Sequence, residues 1–426
     1  LSTTTVNIAY QTLTDDGYLV SRPNKGFFVN SSPAPIKYSF DDGGWANLRT
    51  FKHQFSYNGI DTTHIDSRAF NMSVKKVMYY GDDFFNHGEK QGEYALCHAI
   101  SRHLYSARGI DVRSDQVLIG CGCYYLIGEV CKALGPETMY GVTNPFELKV
   151  YTALKGLNAR IKLINVGMNG LDVNRLEKSG TDIVAVMPEC DCPTGHRMTL
   201  SQRYDLLAWV NAKESRYIIE NAADWHLIYG GEPIQSLYSL NNGKKVIYMN
   251  SFERSLAPSI KTAYFVLPEE LLNLFKRRLT TYNSLVSRFE QQVHAEFING
   301  GYFSKHLHKM NGIYRDKRDY LQSVLLASSI GNRMTITADS GGTHFLGHFE
   351  SSADERELVA AAADADIKIL NIIAVPYLPN SAMPDKTFIF GYGGLTKKEM
   401  DESVLLLSKT SVSYTHLRAH ETRRHL

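Results

Sequence analysis

The stretch Val246–Tyr264, VIYMNSFERSLAPSIKTAY, constrains this chain more than any other. It opens as a β-branched and aromatic run, Val246-Ile247-Tyr248-Met249, the composition of a buried strand. Asn250-Ser251 breaks the run, a short loop leads to Pro258, and a second run, Tyr264–Leu267, follows. Similar short runs recur at Val117-Leu118-Ile119 and Asp182–Met187, and an amphipathic helix is predicted over Ala95–Tyr105. From Gln54 onward the alternation is that of an α/β protein.

With 426 residues, 43% of them hydrophobic, the chain can bury one large core or two domains. The formal net charge is +2, and the last fourteen residues, with three Arg and one Glu, account for it. Charge therefore gives no argument for nucleic acid or an anionic membrane. No apolar stretch approaches the roughly 20 residues of a membrane span, and the polar first residues do not read as a signal peptide. Leu1 in place of Met reads as the start of a fragment. Six cysteines include two C-x-C pairs, Cys121/Cys123 and Cys190/Cys192. A metal site built from both pairs lacks the usual spacing, and reduced cytoplasmic thiols are the simpler expectation.

Residues 1–30 form a small unit. Ser2 is placed to cap a helix with Val6, Ala9, Tyr10 and Leu13 on one face, and Asp15-Asp16-Gly17 ends it. Tyr18-Leu19-Val20 and Phe27-Phe28-Val29 read as strands around Pro23-Asn24-Lys25-Gly26. The segment LSTTTVNIAYQTLTDDGYLVSRPNKGFFV resembles the recognition helix and wing of GntR-type winged helix-turn-helix regulators. The resemblance implies an N-terminally truncated DNA-binding module. It implies groove contacts from Thr3, Thr4, Thr5 and Asn7, and backbone contacts from Arg22 and Lys25. A small cap or oligomerisation hairpin is the other reading. Residues 31–53, with Ser-Ser-Pro-Ala-Pro and Asp-Asp-Gly-Gly, read as a linker.

Residues 54–412 resemble the aminotransferase-like domain of MocR regulators in the GntR superfamily. Tyr248, Ser251, Phe252, Ser255, Leu256, Pro258, Ser259, Ile260 and Tyr264 match the cofactor-lysine segment, whose pattern is roughly aromatic-x-G-[ST]-F-S-K-[ST]-L-x-P. Gly88–Gly92 resembles the family's G-x-x-Q-G stretch, and G-L-D-V-x-x-L ends at Leu176. Glu220, Asp224 and Tyr229 match I-x-E-D-D-Y-D-S-E-F-x-Y, and Pro193-Thr194-Gly195 is a recurrent loop of the fold. The implied fold is a fold type I aminotransferase, with large and small domains, behind a partial winged helix-turn-helix. The strand-to-helix junction at Gly122-Cys123 has the form of a phosphate cradle.

The departures fall on the implied cofactor site. The Schiff-base lysine reads Arg254, whose guanidinium stays protonated to roughly pH 12 or beyond and cannot form the adduct. The aspartate that would protonate the pyridine nitrogen reads Asn221, and the tyrosine on the ring oxygen reads Ala223. Cys192 stands where Asn often precedes P-T-G, Phe146-Glu147 where Gly-Tyr would supply a stacking ring, and Ile389 where an arginine would take the substrate carboxylate. The family's phosphate-binding arginine reads Lys261. Gly122, Cys123, Asn221, Ala223, Ser251, Arg254 and Lys261 are the implied remnants of the site. Pyridoxal phosphate stays a candidate cofactor, held without a covalent bond through Gly122, Ser251 and Lys261; a working aminotransferase with Lys261 as a relocated Schiff-base lysine is the remaining alternative. His344, in a stretch resembling G-x-x-x-G-x-H, is expected to be structural.

The small domain is completed by Val375-Pro376-Tyr377 and Phe388–Gly393, and the last helix is expected over Leu395–Lys409. Residues 413–426 resemble nothing in the family; they read as an extension foreign to the domain or as a basic DNA-binding tail. The expectation is a cytoplasmic, homodimeric, DNA-binding regulator that responds to a small effector: an amino acid, an amine or a vitamin B6 vitamer. It is expected not to transaminate.

Overall fold

The computed structural model describes residues 2–15, 19–29, 50–79, 85–135, 137–145, 148–232, 234–278, 284–372 and 382–422. Several sequence readings lie outside these residues: the Asp16-Gly17 turn, most of the 31–53 linker, Phe146-Glu147, Val375-Pro376-Tyr377 and the last four residues. The chain divides into two compact units, Leu1–Thr50 and Phe51–Leu426.

In the first unit, helix α1 (Thr3–Asp15) is followed by strands β1 (Leu19–Arg22) and β2 (Gly26–Val29). Ser2 caps the helix as expected, its Oγ accepting from the Thr5 amide at 3.2 Å. The strands pair antiparallel, Leu19 opposite Val29 and Arg22 opposite Gly26. Tyr10 on the helix meets Phe27 on the hairpin with ring centroids 4.9 Å apart.

The second unit begins with strand β3 (His53–Gln54), helices α2 (Ser67–Tyr79) and α3 (Tyr94–Arg108), strand β4 (Val117–Cys121) and helix α4 (Cys123–Leu134). Then come β5 (Met139–Asn144), α5 (Leu148–Gly156), β6 (Arg160–Asn165), α6 (Val173–Lys178), β7 (Ile183–Val186), α7 (Leu200–Asn211) and β8 (Tyr217–Asn221). The segment with which the sequence reading began supplies β9 (Val246–Ser251), after the short α8 (Leu237–Leu240); a single turn, α9 (Phe252–Ser255); and β10 (Thr262–Val266). Helices α10 (Glu269–Arg278), α11 (Arg288–Asn299) and α12 (Tyr302–Ala327) lead to a second sheet.

The large sheet has the order β4-β10-β9-β8-β7-β5-β6. β10 runs antiparallel to both neighbours; the other pairs are parallel. The unbroken apolar character of β9 follows from burial on both faces. Val246 and Tyr248 pack into a core with Leu104, Leu206 and Phe297, while Ile247 and Met249 pack into another with Leu126, Leu154 and Phe275. Period-two alternation sends neighbours to opposite cores, so a one-residue slip would exchange them.

The smaller sheet takes the order β11-β12-β15-β14 from β11 (Met334–Thr337), β12 (His344–Phe349), β14 (Leu370–Asn371) and β15 (Thr387–Gly391). β13 (Ile367–Lys368) pairs instead with β3, parallel, across most of the chain's length. Helices α12, α13 (Glu355–Asp364) and α14 (Lys397–Thr422) contribute the residues that pack around the smaller sheet. The last helix thus runs past Lys409, where the sequence reading ends it, and the segment from Ser413 starts within it. No described helix is long and apolar enough to cross a membrane.

Candidate functional site

The site lies beyond the carboxyl ends of β7, β8 and β9, where open α/β sheets form their clefts. The turn of α9 follows β9 directly, and Ser251 caps it, its Oγ accepting from the Glu253 amide at 3.1 Å. The cleft of about 50 Å³ is lined by Cys123, Asn221, Ala223, Ser251 and Arg254, five of the seven residues expected from sequence. Gly122 and Lys261 stand outside the lining. Asn58, Glu253 and Met187 line it too and were not anticipated.

Arg254 decides the character of this cleft. Its Nε donates to Asp224 Oδ1 at 2.8 Å, and Nη2 donates to Asp224 Oδ2 at 2.7 Å. Nη2 also reaches Thr343 Oγ1 at 3.2 Å, and Nη1 reaches Asn58 Oδ1 at 3.2 Å and the Tyr57 carbonyl at 3.5 Å. One guanidinium thus ties the loop after β8 to the opening segment of the unit and to the start of β12. Asp224 is 3% exposed. Burial pushes its carboxyl up, but the adjoining guanidinium, helped by His226 and His344, brings it below the usual range.

The neighbouring side chain carries the opposite charge. Glu253 stands where the family pattern has its second serine, and its Oε1 accepts from Lys261 Nζ at 2.7 Å. That acidic letter beside Arg254 was the sequence signal for it. At the foot of the cleft Asn221 accepts from the Ala223 amide at 3.2 Å, and Ala223 itself offers no polar side chain. Gly122 keeps a glycine-only conformation, φ 84° and ψ 154°, and caps α4 without a side chain.

The surrounding polar groups serve the fold. Glu220, fully buried, accepts the Leu237 and Tyr238 amides at 3.1 and 2.8 Å and so holds the first turn of α8. Glu189 accepts from Arg108 Nη2 at 2.6 Å and lies 3.6 Å from Arg203 Nη1. His344 Nε2 donates to the Pro193 carbonyl at 2.9 Å, tying the P-T-G loop to β12. Ile389 is buried with Leu346, Ile372 and Met383, inside an apolar cluster. All six cysteines are free thiols, and only Cys121 is exposed. No group of three or more His, Cys, Asp or Glu among the described residues is placed to hold a metal ion.

No known family profile matches the chain. The uncharacterised HTH-type transcriptional regulator YhdI of Bacillus subtilis is 29% identical over 408 residues, 94% of this chain and 86% of that protein. The probable rhizopine catabolism regulatory protein MocR of Rhizobium meliloti is 23% identical over 424 residues, 95% of this chain and 85% of its own length. The chain is similar over nearly its whole length to HTH-type regulators, MocR among them. Among solved structures, Pyrococcus horikoshii kynurenine aminotransferase, in complex with PMP, superposes with a TM-score of 0.74 at 18% identity, covering 86% of this chain and 92% of that one. That likeness establishes the fold.

The residues of this cleft do not fit a covalently held pyridoxal cofactor. The described lining has no lysine, and Asn221, where the resemblance implies an aspartate, carries a neutral amide. A carboxylate, Glu253, lines the cleft beside the first residues of α4, where a phosphate would sit against the helix N–H groups. The space of about 50 Å³ is far under the roughly 300 Å³ at the lower end of small-molecule pockets.

Proposed function

We propose that the chain is a DNA-binding transcriptional regulator whose aminotransferase-like domain senses an effector and dimerises, without transamination. The observation that carries this reading is Arg254: at the lysine position stands a guanidinium already committed to Asp224 through both carboxylate oxygens. A group that cannot give up its proton and is held in a buried ion pair is structural. The effector belongs to the amino acids, amines or vitamin B6 vitamers, and the protein works in the cytoplasm.

DNA contact falls to Thr3, Thr4, Thr5 and Asn7 on α1, all exposed, with Arg22 and Lys25 on the hairpin. Dimerisation is supported by apolar side chains left at the surface of α2 and α3: Met72, Met78, Tyr79, Tyr94 and Tyr105 are each more than half exposed. Homodimer interfaces cover surface of this kind. A second reading, pyridoxal phosphate held without a covalent bond, has the conformation of Gly122 in its favour and the carboxylate of Glu253 against it.

The test is an absorbance spectrum of the purified chain with excess pyridoxal phosphate, then borohydride reduction and peptide mapping. A gel shift on the duplex flanking its own gene runs in parallel. The expected result is a shifted duplex and no reduced adduct. An adduct on a defined lysine such as Lys261 would sink the proposal.

A further inference from the structure

Behind the cleft lies a second chamber of about 30 Å³, sharing Met187, Cys192 and Asn221 with the first. Its walls are mostly apolar, with Ile127, Val142 and Met249 among them, and one carboxyl lines it, that of Asp191. The Asp191 carboxyl has a single side-chain partner among the described residues, Thr194 Oγ1, which donates to it at 2.7 Å. No described Lys, Arg or His pairs with it. Its surface is partly accessible, and a carboxyl that lines a cavity presents acceptor capacity there.

The cations near the cleft are already used. A guanidinium has five N–H donors. Those of Arg254 are directed at Asp224 twice, Thr343, Asn58 and the Tyr57 carbonyl. Lys261, the next basic residue, is held by Glu253. An incoming carboxylate or phosphate would have to break one of these arrangements, and would meet the charge of Glu253 as it did so. An incoming ammonium meets the reverse situation at Asp191, an acceptor without a described cationic partner.

We propose that the two chambers form a site for a short primary amine, with Asp191 as the group that recognises its nitrogen, and that the site refuses carboxylate and phosphate ligands. The inference rests on the reading of this domain as an effector sensor without chemistry. It names the class of effector and separates it from the phosphorylated cofactor that the fold otherwise suggests. The two chambers, of about 50 and 30 Å³, are small, which suits a chain of a few heavy atoms. The ammonium lies at Asp191 and the chain lies along Met187 and Val142.

The experiment is calorimetric titration of the full chain with propylamine, with propionate, with inorganic phosphate and with pyridoxal phosphate. Propylamine is expected to bind, the three anions to show no binding at the same concentrations, and Asp191→Asn to weaken the amine at least tenfold. Equal or tighter binding of propionate or phosphate overturns the proposal. So does an amine affinity that D191N leaves unchanged, or no amine binding at all. The comparison among ligands uses the unaltered chain, so it decides the matter even where D191N folds poorly. If the amine fails while the chain still shifts its flanking duplex and forms no reduced adduct, only the ligand class is wrong and the regulator reading stands.

Discussion

The guanidinium of Arg254 closes on the carboxylate of Asp224 through two parallel hydrogen bonds, 2.8 Å from Nε and 2.7 Å from Nη2, with 3% of Asp224 exposed. Fork-on-fork pairing of this type is specific as well as strong. Removing one partner leaves the other charge buried without compensation, which costs about 3–5 kcal/mol. Arg254→Ala should therefore lower stability by that amount in urea unfolding, with the midpoint moving and the slope unchanged. Arg254→Lys keeps the charge but not the fork, and should fall between, at about 1.5–3 kcal/mol. A loss below about 1 kcal/mol for R254A would mean that the pair is not the clasp described.

Gly122 gives a cleaner test of local backbone strain. Its φ of 84° lies in the region that side chains rarely adopt, yet a Cβ there would meet nothing nearer than the Lys261 carbonyl oxygen at 4.0 Å. Steric crowding is thereby separated from conformational cost. Gly122→Ala should cost about 1–3 kcal/mol from backbone strain alone. An unchanged unfolding midpoint would show that the turn relaxes, and that the junction into α4 is not held in its present form.

The parts of this protein that were legible in the sequence are those set by local pattern. The run Val246–Met249 announces a strand buried on both faces, and it feeds two cores on opposite sides of the sheet. Ser2 announces its cap, and Asn221, Ala223 and Arg254, named from sequence, meet in one cleft. The rest depends on groups far apart in the chain. Nothing near Arg254 shows that it will find Thr343, 89 residues away, or Asn58, 196 residues away. Glu253 stood in plain sight beside Arg254, but its pairing with Lys261 needs the return of β10. Asp191 reads as one more loop acid until the fold half-buries it beside an apolar chamber. The end of α14 was misplaced because the apolar pattern stops before the helix does.

His344 couples the fold to pH. Burial lowers its pKa from the ordinary 6.5 to about 4; the Pro193 carbonyl and Asp224 oppose that shift, and Arg254 adds to it. Nε2 carries the proton it donates to Pro193, so the ring is neutral in the folded protein. A base whose folded pKa is depressed supports stability above about 6.5 and loses that support as pH falls towards 4. The loss for this one residue is about 3 kcal/mol by pH 4. Asp191 acts in the opposite sense: burial pushes its pKa up to about 7, the Thr194 bond pulling the other way, so its folded form takes a proton first and gains on acidification. The whole-protein curve mixes these effects, and the difference between wild type and His344→Gln isolates the histidine. That variant keeps an N–H for Pro193 and should lose less stability than wild type between pH 6.5 and pH 4. Parallel unfolding curves for the two proteins across that range would assign the acid sensitivity elsewhere.

The hairpin of the first unit makes a prediction that salt can read. Arg22 lies over the Phe28 ring, 5.1 Å from its centroid, and Lys25 sits in the turn, both exposed. Contacts to phosphate release counterions, and each lowers the slope of log K against log salt by about 0.9. The double variant Arg22→Ala and Lys25→Ala should flatten that slope by close to two such steps, weakening every duplex about equally. Replacing Thr4 by Ala should leave the slope alone and change the discrimination between the flanking duplex and a scrambled one. Fluorescence anisotropy of the full chain on labelled duplexes, over a series of potassium chloride concentrations, separates the two behaviours. If the Arg22/Lys25 variant keeps the wild-type slope, the hairpin does not touch the phosphate backbone, and the reading of α1 and its hairpin as the DNA-contacting elements loses half its support.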